Sequence, residues 1–229
     1  MRHLRHIVLA ATMVGLSLAV AAPFASAQDS QRGGAQVVAP AGTWDGTTAG
    51  EMLGEAWYRV LSLPVAENPF FGNGDPCMRM GRTGGVLFPV ADGATCTVNR
   101  GTPILITGLT TECSNAEPPP YYGRDEAAQR ACALAGDEAA AASLITIDGR
   151  SPVDVRDPRY GVFSPQRKVK LPAENILGIG PRTITFTAHG WMAFVVDLAP
   201  GLHEIRSYNT FLDGSDPYVF SKFINVVRR

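Results

Sequence analysis

The chain has 229 residues, 45% of them hydrophobic and 18% charged, with 24 glycines and 17 prolines. That composition excludes collagen-like, coiled-coil and wholly disordered classes, and the length suits one large domain or two small ones with a sizeable core. A formal charge of −1 gives no basic excess that would point to nucleic acid or an anionic membrane.

Arg2, His3, Arg5 and His6 make a cationic start, residues 7–22 are apolar apart from Thr12 and Ser17, and Ala25-Ser26-Ala27 places small residues at the −3 and −1 positions. This is the three-part pattern of a secretory signal, with cleavage expected after Ala27. The apolar run is shorter than the roughly 20 residues that a membrane helix needs. No later run is apolar enough, so no membrane span is expected after cleavage. The absence of a cysteine behind the run argues against a lipoprotein anchor. Residues 28–43 are rich in Gly, Gln, Ala and Ser without periodicity and read as a disordered linker. Residues 44–229 read as a single α+β domain, β-rich from residue 143.

The first element is a helix over residues 48–63. Thr48 and Glu51 stand at capping-box spacing. Met52, Leu53, Ala56, Trp57, Val60 and Leu61 form one apolar face, and Pro64 ends it. Trp57 reads as core in preference to a sugar-stacking platform. Residues 66–76 form a loop dense in turn residues. Short β segments follow at 86–90, 94–98 and 103–109. Residues 112–123 form a second loop with prolines at 118–120, whose run favours an extended polyproline path. Residues 124–142 are alanine-rich and read as a second helix with Asp125 and Glu126 near its positive end.

From Ser143 the period changes to two. Ile145 and Ile147 alternate with Leu144, Thr146 and Asp148, and Asp148-Gly149 makes a turn. Thr183, Thr185 and Thr187 alternate with Ile184, Phe186 and Ala188. Residues 191–196 are apolar on both faces and read as a central strand. Pro200-Gly201 is a tight turn, residues 202–208 are expected to return as the antiparallel partner of that strand, and 218–227 closes the chain. Strands after helices favour α+β. The spacing predicts a mainly antiparallel β-sandwich with both helices packed on it.

Cys77, Cys96, Cys113 and Cys132 all follow the leader. An even count in an exported chain implies disulfides. Four cysteines allow three pairings, of which Cys77 with Cys96 and Cys113 with Cys132 is the local one. A tetrathiolate zinc site lacks the close C-x-x-C pairs it would need, so no metal or cofactor is expected.

Several runs together resemble a family of uncharacterised secreted bacterial proteins, actinobacterial above all. They are Trp57-x-x-x-Leu61-Ser62-x-Pro64, Asn68-Pro69 and Cys77, then Cys96, Gly101-x-Pro103, Cys113, the segment from Asp125 to Cys132, and Ile147-Asp148-Gly149. Leu198-x-Pro200-Gly201-x-His203-x-Ile205 is similar to a strand–turn–strand phrase of immunoglobulin-like extracellular domains. The resemblance spans roughly residues 44–227. It implies an extracellular compartment and an immunoglobulin-like C-terminal strand pattern, and it assigns no catalytic or binding role to any position.

Chemistry is sparse. No Gly-x-Ser-x-Gly elbow is present. After the leader only His189 and His203 remain, and both read as structural, with His203 placed to bond the turn backbone. No H-E-x-x-H cluster occurs, and Gly178-Ile179-Gly180-Pro181 lacks the third glycine of a phosphate loop. Glu51, Glu55, Glu67 and Asp75 are the acids that could pair across a cleft for carboxylate hydrolysis, against plain surface solvation. Asn73-Gly74-Asp75 and Asp213-Gly214-Ser215-Asp216 offer too few oxygens for calcium, which takes about six to eight, and fit turn chemistry. Phe70, Phe71, Tyr121 and Tyr122 sit on loops and are the candidate binding residues. The sequence therefore favours a secreted, non-catalytic binding or structural module with an extracellular or cell-envelope partner. The alternative is an extracellular hydrolase using paired carboxylates.

Overall fold

The structure is a computed structural model and describes residues 34–228. The expected leader, residues 1–27, lies outside the described residues. The described part is α+β and mostly β. In chain order its elements are β1 (Gln36–Val38), β2 (Thr43–Trp44), β3 (Thr47–Thr48), α1 (Ala49–Ser62), β4 (Cys77–Met80), β5 (Val86–Pro89), β6 (Thr95–Asn99) and β7 (Ile104–Ser114). There follow α2 (Glu126–Glu138), β8 (Ala140–Ile147), β9 (Val153–Asp154), β10 (Gly161–Phe163), β11 (Arg167–Lys170), β12 (Thr183–Val196), β13 (Gly201–Phe211) and β14 (Tyr218–Val227). No helix among the described residues is long and apolar enough to cross a membrane.

Two mixed sheets carry most of the strands. The first runs β1-β12-β7-β5-β4, with β10 and β11 also on β12; the second runs β6-β14-β13-β8-β9. Most pairs are antiparallel, while β5 with β7 and β6 with β14 are parallel. One buried cluster draws on both sheets: Ile104, Ile106, Trp191, Ala193 and Val195 from the first, and Ile145, Ile147, Ile205, Ile224 and Val226 from the second. On the other face of the first sheet, Met52, Leu53, Ala56 and Val60 of α1 pack with Met78, Met80, Phe88, Met192 and Phe194. β12 explains both layers, because its even residues meet α1 while Trp191, Ala193 and Val195 enter the intersheet core.

α1 forms where its sequence places it. Thr48 Oγ1 accepts from the Glu51 N–H at 3.2 Å, and Glu51 Oε2 accepts from the Thr48 N–H at 2.8 Å, a complete capping box. α2 is capped by Asp125, which accepts from the Ala128 N–H at 2.9 Å. It stops at Glu138 rather than 142. Ala140 and Ala142 pair with Phe211 and Thr210 of β13, and that pairing overrides the helix preference of an alanine run.

Three expectations are corrected. The linker expected over 28–43 is ordered from Gln36, where β1 pairs antiparallel with residues 194–196 of β12, and Thr43–Trp44 forms the small β2–β3 pair. Tertiary pairing supplies what this segment's composition hides. The loop expected from residue 112 begins later, since β7 continues through Ser114 against β12. Residues 202–208 do not return beside β12; β13 pairs with β14 and β8 in the second sheet. The backbone leaves the strand at Asp197, with φ of 58°, and Gly201 takes φ of 134° at the crossing. Trp191 and Ile205 then face one another across one core instead of lying side by side.

Two disulfides close the framework. Cys77–Cys96 joins β4 to β6, and so one sheet to the other, while Cys113–Cys132 joins β7 to α2. Two such bridges fit an extracellular protein.

Candidate functional site

An apolar cavity of about 190 Å³ opens between α1 and strands of both sheets. α1 supplies Leu53, Ala56, Trp57 and Val60 to one wall. Phe88 and Pro89 of β5, with residues 107–110 of β7, supply a second. Ser207 of β13 and Tyr218, Phe220 and Lys222 of β14 supply the third, and Phe70 stands at the rim.

Local chemistry positions these walls. The Trp57 indole N–H donates to Thr110 Oγ1 at 3.1 Å, and that hydroxyl donates to the His189 carbonyl at 2.7 Å. Trp57 is thus locked in place with its ring on the cavity. Asn68, fully buried, donates to the Val60 carbonyl at 2.7 Å and accepts from the Phe70 N–H at 3.1 Å. It satisfies an orphan carbonyl near the end of α1 and seats the short 3₁₀ turn Pro69–Phe71 against it. Behind the cavity, Asn209 Nδ2 donates to the Gly108 carbonyl at 3.0 Å, and Ser143 Oγ donates to Asn209 Oδ1 at 2.7 Å. A Cβ at residue 108 would collide with that serine oxygen, so glycine is required there.

Lys222 is the cation of this cavity. It is 8% exposed. Its ammonium donates to the Val90 carbonyl at 3.2 Å, lies 5.2 Å from the Phe220 ring centre, and forms no ion pair among the described residues. Burial pulls its pKa from 10.5 down to about 8, with Asp92 acting in the opposite sense.

Of the four aromatics marked in the sequence, Phe70 lines the cavity and is 48% exposed, and Phe71 packs edge-on against it at 5.6 Å. Tyr121 and Tyr122 are about as exposed, on the β7–α2 connection, and do not line it. Glu51 and Glu55 line one polar groove with Arg59 and Arg167, whereas Glu67 and Asp75 do not line it. Glu51 completes the α1 cap, and Glu55 bridges Arg59 at 2.9 Å and Arg167 at 3.0 Å. Asp75 accepts from the Cys77 N–H, and Glu67 lies exposed in the turn Val65–Glu67. Asp213 accepts from the Ser215 N–H, which is turn chemistry.

The histidines are tied into the scaffold. His189 is buried, with Nδ1 2.7 Å from Asp137 Oδ2, and Asp137 Oδ1 accepts from Thr111 Oγ1 at 2.6 Å. Burial holds the Asp137 carboxyl above its ordinary range despite these bonds. His203 spans two turns, with Nδ1 2.8 Å from Asp148 Oδ2 and Nε2 2.8 Å from the Ala199 carbonyl. A pair of acids that the sequence did not single out is Glu112 and Glu117. Burial raises both carboxyls, Glu112 well above its usual value, with the Glu117 charge adding to the rise. Glu112 is 5% exposed and neither acid lines the cavity. Lys222 was equally unmarked. The one available signal was a lysine in phase with Ile224 and Val226 on an otherwise apolar strand face.

No family model matches the chain, and no curated protein matches it. A solved structure titled "Solution Structure of Amebosin" aligns at 11% identity over 62% of this chain and 96% of that one, with a TM-score of 0.24, too low to carry any argument.

Proposed function

We propose that the chain is an exported, non-catalytic binding module whose ligand occupies the cavity between α1 and the two sheets. The observation that carries this reading is the cavity itself, apolar, walled by α1 and by strands of both sheets, with Phe70 at its edge. Concave apolar sites with a few placed polar groups are the usual form of a small-molecule site. Export rests on the leader pattern of residues 1–27 and on the two disulfides. Membership of the secreted actinobacterial-type family belongs to the same proposal on the residue runs alone, and an immunoglobulin-like sandwich on the core that the two sheets share. The alternative of a carboxylate hydrolase has less support: Glu51 and Glu55 share a polar groove but are engaged by the helix cap and by Arg59 and Arg167, and Glu67 and Asp75 lie outside it.

The test is a titration of the disulfide-bonded protein with a small neutral amphiphile, 3-phenylpropan-1-ol, followed by the indole N–H resonances. The Trp57 signal is expected to shift saturably, while Trp191 in the intersheet core stays in place. No saturable shift at Trp57 up to the solubility limit would remove the cavity as a binding site.

A further inference from the structure

Lys222 occupies a position built for an aliphatic residue. Ile224 and Val226, two and four residues further along the same strand face, are core residues between the sheets. An ammonium has three N–H donors. Here one reaches a carbonyl, at 3.2 Å, and the ring of Phe220 offers its face from 5.2 Å. A buried cation with so few partners is costly, and the cost shows in the displaced basicity of the amine. The cavity lets a ligand relieve it, because Lys222 is part of the wall that the ligand would touch.

Taking the cavity as the ligand site, we propose that it binds a small monocarboxylic acid, with the carboxylate against Lys222 Nζ and the apolar part against Leu53, Trp57 and Phe88. A charge-assisted pair inside an apolar wall is strong and directional. It would also use donors that the protein itself leaves without acceptors. Size limits the rest of the molecule. An apolar cavity of about 150 Å³ accommodates benzene. The present cavity, about 190 Å³, suits one ring on a short arm or a chain of similar bulk.

The experiment compares 3-phenylpropanoate with 3-phenylpropan-1-ol by titration calorimetry at pH 7, on the disulfide-bonded protein and on Lys222→Met and Lys222→Arg. The acid is expected to bind about tenfold or more tightly than the alcohol. K222M should abolish that preference by weakening acid binding far more than alcohol binding, and K222R, which keeps a charge, should retain part of it. Equal affinity for acid and alcohol, or a preference that survives in K222M, overturns the acid-selective assignment and leaves the cavity as a neutral apolar site. Failure of both compounds to bind removes the cavity reading and this inference together. Thermal melts of each variant show whether a lost signal reflects lost folding, and the Arg variant gives the independent check.

Discussion

Glu112 shows how one side chain sets a pH response. It sits on β7 beside Cys113, and its Oε1 has no hydrogen-bond partner among the described residues. Burial and the neighbouring Glu117 raise its folded-state pKa above the unfolded value of 4.5. A raised carboxyl pKa means that its stabilising contribution is complete below the unfolded value and is lost as pH climbs towards the folded one, because the unfolded chain ionises first. Glu112→Gln, which imitates the protonated form, should therefore raise the melting temperature at pH 7 by a few degrees, each kcal/mol being worth about 2–4 °C at this size. At pH 4 the variant should melt with the parent. Melts between pH 4 and 8 check this, and an offset independent of pH would show that the carboxyl is not titrating as described. Asp45 and Asp148 pull the other way. Their lowered pKa values give stability that is lost as pH falls, so the parent should be most stable between the two limits.

At the scale of an element, α1 owes its start to a local signal and its seat to a distant one. The capping box and the apolar stripe are written within 16 positions. The closeness of the helix to the first sheet depends on Gly50, where an added Cβ would run into the Phe163 carbonyl. Gly50→Ala should gain about 1 kcal/mol in helix propensity and lose more through overpacking of about 1–3 kcal/mol, lowering the melting temperature. Circular dichroism melts measure the net sign. A stabilised variant would mean that α1 stands farther from β10 than the structure has it. α2 carries the complementary lesson, since its alanine run reads as helix to residue 142 but its last alanines join β8 and pair with β13.

For the whole molecule the consequential covalent link is Cys77–Cys96, because it ties β4 of one sheet to β6 of the other. Each disulfide joins cysteines 19 positions apart, and loops of that size are worth about 3 kcal/mol in the chain-entropy estimate. Replacing Cys77 and Cys96 by alanine should cost about 2–4 kcal/mol in denaturant unfolding. It should also weaken binding of 3-phenylpropan-1-ol, as strands of both sheets that this bridge joins wall the cavity. Replacing Cys113 and Cys132 should lower stability similarly and leave that binding nearly unchanged. Equal loss of binding in both variants would show that global loosening, not the intersheet bridge, controls the cavity.

What the sequence by itself determined is what short-range chemistry can write. It covers the capped helix after Thr48, the period-two strands ending in β14, the even set of cysteines behind a leader pattern, and the turn at which His203 bonds the Ala199 carbonyl. Phe70 was legible as a loop aromatic. Only the tertiary structure decided that β13 leaves the sheet of β12, that Gln36–Val38 is a strand, and that Phe70, Trp57 and Lys222 border one cavity. The reason is range. Caps, turns and alternation depend on neighbours a few residues away, whereas sheet partnership and cavity walls arise from contacts between segments that can lie tens to more than a hundred residues apart, which no local pattern encodes.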